Sequence, residues 1–590
     1  MRFLSVLLCL VLLFSTVSAG EIREEEEDFR QERERKEELL AALFESDISS
    51  ARQALDTGLI SCVELTQYFL ERIDAYNDTF NCFITLCDNA LEEAKDRDKR
   101  LKEDGEHSML LGIPIVVKDN IAYEGYPTTN GYWSFGSISW ENASVVQTLL
   151  DAGAVILGKS NMATAAQEAQ FTASDAVGET FNAYGTDLSA GGSSGGSASA
   201  VSLNFCYAGL GTDTNASLRY PAVLNGCISL RPTKDLIDRE GILLLNHTRD
   251  VPGVITRSVE DQAIVLGEMA GIDYYSNLNS NALEGKRIGI LLELCYWGNG
   301  LNYRRESKMD EEVKTAFYET VANLKSLGAT VIEVSIPNIF SLAENCEYDS
   351  SHSINRFLSV YEQLFADRKL DAVIFPTYLH TPDKSLKYTG WNEDRYSYFY
   401  SNCSKLSSPI GVPEIAIPIA YHSKGSGIGM EIAALKGQEQ LLLDMAYTYT
   451  KNYVTRRVPE TAPSLYEAKR TMEEILAPPP VEPEVPPTEA EVIPTEEPTS
   501  PEVTVDIQAI EEEPAEPSEP VLEKRTSYVP TMILSLVLLL PVGICIGLWI
   551  RRKTEKSPPA KLPHQSFPSH CGRKKKKKSK KPSKKRKVTK

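Results

Sequence analysis

Apolar and polar positions along this chain follow two periods, one of helices and one of short buried strands. Ser61 and Glu64 form a capping-box pattern ahead of Leu65, Tyr68, Phe69 and Ile73, whose spacing predicts a helix. Residues 112–117 (GIPIVV) form a short apolar run suited to a buried strand, and residues 143–152 read as a helix running into a strand over 154–157. Further along, 286–292 predicts a strand, 310–327 an amphipathic helix and 330–334 the next strand. Strands over 373–375, 414–419 and 427–432 and a helix over 438–449 complete the pattern. Such alternation across residues 46–476 predicts a strand-rich α/β body without internal repeats.

Outside the body the pattern changes kind. Arg2 followed by the apolar run 3–14 and by Val17-Ser18-Ala19 reads as a secretory signal over residues 1–19. Residues 531–550 (TMILSLVLLLPVGICIGLWI) contain no charge over a length that crosses a ~30 Å hydrocarbon layer, which predicts a transmembrane helix. Arg551, Arg552 and Lys553 follow at once and would lie on the cytoplasmic side. The expected topology is therefore single-pass type I, the body extracytoplasmic on a cell surface or in a secretory lumen. Residues 20–45 are a charged lead-in. Residues 477–530 are rich in Pro and Glu and predict an extended, disordered stalk.

Composition sharpens this division. The net charge of −20 combines about +17 from the polybasic tail, 551–590, with about −37 from everything before it. No basic face is then available on the body for phosphates, so a nucleic acid partner is not expected. The tail suits anionic lipid head groups, which adds to the lipid bilayer as a partner. Eight cysteines lie outside the signal, the membrane run and the tail: Cys62, Cys82, Cys87, Cys206, Cys227, Cys295, Cys346 and Cys403. Their even number permits disulfides, their spacing names none, and buried free thiols fit as well. Asn77, Asn142, Asn215, Asn246 and Asn402 open Asn-x-Ser/Thr acceptors for glycosylation. The seven histidines are scattered, without metal-ligand spacing, and Cys82-x4-Cys87 alone is a weak signal; neither a metal nor another cofactor is expected.

The chemistry concentrates in residues 191–233, which open GGSSGGSASAVSLNF. Glycines and serines at this density let the backbone turn tightly and bring N–H and hydroxyl groups together. A flexible linker has similar composition but does not usually run into apolar sequence such as 198–203. A phosphate-cradling loop would need a Gly-Lys-Ser/Thr that is absent from the required register.

Several landmarks occur in one order across about 410 residues: Lys118 in GIPIVVKDN, Gly158-Lys-Ser-Asn-Met162, Gly191–Ser197, Gly211–Pro221, Thr248-Arg-Asp-Val-Pro-Gly253, Thr256-Arg-Ser-Val-Glu-Asp261, Phe375-Pro-Thr377 and the segment from Ser408 to Pro418. In these the chain resembles the amidase signature family of Ser-Ser-Lys hydrolases, which includes fatty-acid-amide hydrolase and the A-type polypeptide of the amidotransferases. The resemblance implies a single large α/β domain, built on a large mixed twisted β-sheet covered on both faces by helices. It implies Ser217 as the nucleophile, Ser193 as the bridging serine after a cis peptide from Gly192, and Lys118 as the base. It also implies an oxyanion hole from the backbone N–H groups of Thr214, Asn215, Ala216 and Ser217. Ser194, Asp213 and Arg219 match supporting positions. Chemistry agrees with this choice, because lysine can act as a base near neutral pH only if burial lowers its pKa by several units.

Two departures stand out. Asn215-Ala216 occupies positions where many members have Gly-Gly, which predicts a reshaped acyl pocket and places a cost on any positive φ there. Fewer than forty residues separate Val334 from Val373, where members often carry more, so no member's substrate transfers. The expectation is a membrane-tethered serine hydrolase acting on a small-molecule or acyl amide. The rival is a catalytically impaired amidase fold serving as a surface binding or adhesion module. An amidotransferase role toward Glu-tRNA sits poorly with a secreted, acidic body.

Overall fold

The apolar runs pair into one extended sheet in the computed structural model, which describes residues 27–477 apart from 28, 104, 106, 135–140, 296–308, 349–350 and 381–402. In chain order the strands are β1 (Phe83–Leu86), β2 (Pro114–Lys118), β3 (Val155–Ser160), β4 (Ala173–Ser174), β5 (Gly178–Glu179), β6 (Phe181–Asn182), β7 (Gly185–Ser189), β8 (Ala208–Asp213), β9 (Ile228–Arg231), β10 (Val251–Thr256), β11 (Arg287–Leu291), β12 (Thr330–Val334), β13 (Ala372–Pro376), β14 (Glu414–Tyr421) and β15 (Gly427–Ala433). Eleven of them form a single mixed sheet ordered β1-β3-β2-β8-β10-β9-β14-β15-β13-β11-β12, while β4–β5 and β6–β7 are small hairpins. Parallel pairing occurs in two blocks, β3-β2-β8 and β13-β11-β12. Antiparallel pairing joins them through the centre. Helices flank this α/β sheet, as expected.

The strands and helices read from periodicity lie within a few residues of their predicted places. The Ser61–Glu64 capping box is formed and opens the helix Cys62–Phe80. Asp310 caps the helix Glu311–Ser326 by accepting from Glu312 N–H. The short stretch between β12 and β13 folds as two helices, Ile339–Tyr348 and Ser351–Arg368.

Periodicity misses the middle of the sheet. β8 (AGLGTD) and β10 (VPGVIT) carry Gly, Pro, Thr and Asp, residues of poor strand propensity apart from Thr, yet every one of their residues is buried. Their glycines serve close approach rather than strand preference. A Cβ on Gly211 would lie 2.7 Å from Ser194 Oγ and 2.8 Å from Leu218 Cδ2, so the serine-rich loop can seat against β8 only if that residue is glycine. The loop's own helix, Gly195–Ser202, is buried along its whole length. A Cβ on Gly196 would stand 2.2 Å from Asn161 O.

The core runs continuously from the N-terminal helices to the last one. Part of the charged lead-in joins it: residues 29–43 are helical, and Leu39, Leu40 and Leu43 are buried. All eight cysteines of the body are buried free thiols. The described residues fall within one unit, Met1–Pro483. Among them no helix is long and apolar enough to cross a membrane. The signal segment 1–19, the stalk beyond Ala477, the run 531–550 and the basic tail lie outside the described residues.

Candidate active site

Lys118 is the last residue of β2, a strand whose five residues are all buried. Its side chain is 0% exposed, and this loss of water lowers its pKa to about 7 against the opposing pull of Asp250 and Asp213. Its Nζ donates to Ser193 Oγ at 2.7 Å and to Thr212 Oγ1 at 3.0 Å. Thr212 lies on β8, the parallel neighbour of β2, so strand pairing itself brings the hydroxyl to the amine. Asn120 Nδ2 donates to the same hydroxyl at 3.2 Å and to Leu243 O at 3.1 Å, which gives Thr212 a second anchor.

Ser193 follows Gly192 through a cis peptide bond, as the resemblance implied. Its carbonyl accepts from Ala163 N–H at 3.1 Å. Ser194 N–H donates to Ser217 O at 3.2 Å, and Ser194 Oγ donates to Thr212 O at 3.3 Å. These bonds tie the Gly-Ser loop to both β8 and the turn that carries Ser217. Ser217 is 5% exposed, and among the described residues its hydroxyl makes no hydrogen bond. The fold thus joins Lys118 to Ser193 directly and binds Ser217 to the same loop through its backbone. The Ser193–Ser217 hydroxyl contact is not made.

The turn 214–217 leaves β8 and enters the helix Arg219–Leu224. Among the described residues, the N–H groups of Thr214, Asn215, Ala216 and Ser217 donate to no protein acceptor. Leu218 N–H does not share their freedom, since it donates to Asp213 Oδ2 at 3.2 Å. Four successive unspent amides are the raw material of an anion-binding turn. The Asn215-Ala216 pair needs no special backbone, because neither residue adopts positive φ. Asn215 is held at both ends. Its carbonyl accepts from Arg219 Nη2 at 2.7 Å and Ser408 Oγ at 2.6 Å, and its side-chain Oδ1 accepts from Arg249 Nη1 at 2.8 Å.

Behind the turn lies a buried charge network. Arg219 reaches Asp213 at 3.2 Å, Glu431 at 3.3 Å, Cys403 O at 2.7 Å and also Glu414. Arg231 donates to Asp213 Oδ1 at 2.9 Å, and all these charged side chains are 0% exposed. Burial raises Asp213, but Arg219 and Arg231 outweigh it and hold the carboxyl below its ordinary range. Burial pushes Glu414 and Glu431 upward, so the pair retains a proton more readily than an exposed one. Asp213 and Arg219 therefore brace the turn through Leu218 N–H and Asn215 O.

A second buried amine accompanies the first. Lys159, on β3, stands 3.9 Å from Asp119, and burial lowers its pKa to about 8 against the pull of that carboxylate. The register pairs Lys159 with Val117 and Lys118 with Ser160, which puts the two lysines on opposite faces of the sheet. Lys159 and Thr212 both stand inside quoted motifs, yet no spacing assigned them contacts; strand pairing did.

The Amidase family model matches residues 64–353. Over these residues the chain is similar to the amidase family. The A-type polypeptide of glutamyl-tRNA(Gln) amidotransferase from Salinibacter ruber (strain DSM 13855 / M31) is 36% identical over 304 residues, which cover 49% of this chain. That match spans 57% of the relative's own length. The polypeptide of the same name from Desulfotalea psychrophila (strain LSv54 / DSM 12343) is 29% identical over 485 residues, 69% of this chain and 97% of the relative. Among solved structures, native peptide amidase from Stenotrophomonas maltophilia superposes with a TM-score of 0.62 at 25% identity, over 71% of this chain and 99% of that one. The amidase body thus has a solved counterpart over nearly that whole enzyme.

Proposed function

We propose that the body hydrolyses a carboxylic acid amide through an acyl-enzyme on Ser217, with Lys118 as the base and Ser193 as the relay. The 2.7 Å bond between Lys118 and Ser193, at an amine whose pKa burial lowers to about 7, carries this reading. Ser217 Oγ attacks the carbonyl carbon as its proton passes to Ser193 Oγ and the Ser193 proton to Lys118 Nζ. The carbonyl oxygen takes up the electron pair against the amides of residues 214–217. The C–N bond then breaks, the leaving nitrogen takes back a proton along the same path, and water hydrolyses the Ser217 ester. The Ser193–Ser217 contact closes when substrate is bound, as hydrogen bonds in unliganded sites often do.

Fluorophosphonate labelling tests the nucleophile. Wild-type chain is expected to label and Ser217→Ala to remain unlabelled, with Lys118→Ala labelling at least ~10²-fold more slowly. A wild type no more reactive than Ser217→Ala would leave the rival reading, a catalytically impaired binding or adhesion module.

The names of the curated relatives supply a second reading, one component of an amidotransferase. Amide hydrolysis by the purified chain alone favours the first reading, and turnover that requires partner proteins favours the second.

The enzyme is further proposed to be tethered to a membrane by residues 531–550, with the body extracytoplasmic and the basic tail against anionic head groups on the cytoplasmic side. The uncharged run, the Arg551-Arg552-Lys553 flank and the signal-like residues 1–19 support this topology. Protease added outside intact cells should digest the body and spare a tag placed after Lys590. Loss of the tag, or release of the chain by alkaline carbonate, would overturn it.

A further inference from the structure

The wall beside Ser193 contains a group that the proposed mechanism leaves unused. Residues 163–172 wrap the serine loop. Ala163 N–H donates to Ser193 O at 3.1 Å, Thr172 Oγ1 donates to Gly191 O at 2.8 Å, and Gly195 N–H donates to Thr172 Oγ1 at 3.0 Å. The wall lies close against the loop at Gly192, where a Cβ would stand 2.4 Å from Phe171 O and 2.8 Å from Glu168 O. Glu168 therefore sits against the residue that precedes the bridging serine.

Its side chain is 7% exposed by residue, and its two oxygens fare differently. Oε1 accepts from Ala169 N–H and Gln170 N–H, both at 2.9 Å. Oε2 is buried and has no hydrogen-bond partner, and no cation pairs with the carboxyl among the described residues. A buried carboxylate oxygen without a donor is costly, and a donor carried by a ligand is one partner that relieves the cost. The backbone around it is strained as well. Ala165 (φ 54°) and Ala166 (φ 57°) are consecutive left-handed alanines, a conformation kept only where the surroundings over-determine it.

We infer that Glu168 receives a protonated amine of the substrate, so that the amides taken by this site carry an amino group within a few bonds of the scissile carbonyl. This rests on the hydrolytic reading above and narrows its substrate class. The same chemistry is offered by an amino-acid amide, a peptide with a free amino terminus or an acylated diamine. The Coulomb partner Oε2 lacks would then arrive with the ligand, in a site where low dielectric strengthens the pair.

Two amides differing by one amine test it on the full chain: L-phenylalaninamide and 3-phenylpropanamide. The wild type is expected to prefer the first by about tenfold or more in kcat/KM, as befits one charge-assisted hydrogen bond. In Glu168→Gln that ratio should fall about tenfold, chiefly through KM, and Glu168→Asp should restore part of it. An unchanged ratio in Glu168→Gln, or a wild type that prefers 3-phenylpropanamide, overturns the assignment. Ligand-induced shifts in Tm separate this outcome from failure of the hydrolytic reading. If neither amide is cleaved but L-phenylalaninamide alone raises Tm, and only with Glu168 present, amine recognition stands and hydrolysis falls. If neither amide shifts Tm or is cleaved, the amine assignment falls.

Discussion

Lys118 concentrates the residue-scale physics of this protein. Its folded pKa of about 7 lies far below the ordinary lysine value of ~10.4, so the neutral base accumulates as pH rises. The pH profile of kcat/KM should climb about tenfold per unit below pH ~7 and level above it. The same shift affects stability. Between about pH 7 and pH 10.4 the unfolded chain holds this proton and the folded chain does not, so this group makes stability rise with pH across that window. Its contribution is at most ~1.4 kcal/mol per unit, and Lys118→Met should remove it. Denaturant unfolding at pH 7 and pH 9 measures the difference. Lys118, Ser193 and Ser217 were legible from their motifs. Thr212 and Asn120 were not assigned contacts, because their approach to the amine depends on which strand lies beside β2.

At the scale of elements, the turn 214–217 shows how far local pattern reaches. A cost was expected there for any positive φ, and the turn closes with Asn215 and Ala216 outside the left-handed region. The bracing comes from elsewhere: Arg219 spans Asp213 at the end of β8, Glu414 on β14 and Glu431 on β15. Arg219→Met would leave those carboxyls without their shared cation in the interior. It should cost ~3–5 kcal/mol, read as a fall in the denaturation midpoint. The capping box of the helix Cys62–Phe80 is a local device with a local magnitude. Ser61→Ala should cost ~1 kcal/mol and leave labelling of Ser217 unchanged, which thermal unfolding and the fluorophosphonate assay check together.

At the scale of the whole molecule, Leu39, Leu40 and Leu43 join a core that reaches the last helix of the body. Leu43→Ala should therefore destabilise the entire body by ~2–5 kcal/mol, in one cooperative transition by circular dichroism. A lead-in folding apart from the body would leave that transition unmoved. Apolar runs located β2, β3 and β11 to β15, and helical periodicity the amphipathic helices, because a buried strand or helix face must be built from apolar side chains. Residue chemistry alone determined the serine and lysine candidates, since few side chains can serve as a nucleophile and a base. Only the tertiary structure decided the centre of the sheet, where Gly, Pro and Thr replace the usual apolar strand formers. A strand paired on both edges and covered on both faces takes its stability from its neighbours, and its composition records only the room they need. The contacts of Thr212 and Lys159 arise in the same way, from groups far apart in the chain that exclude water from one another once the sheet has formed.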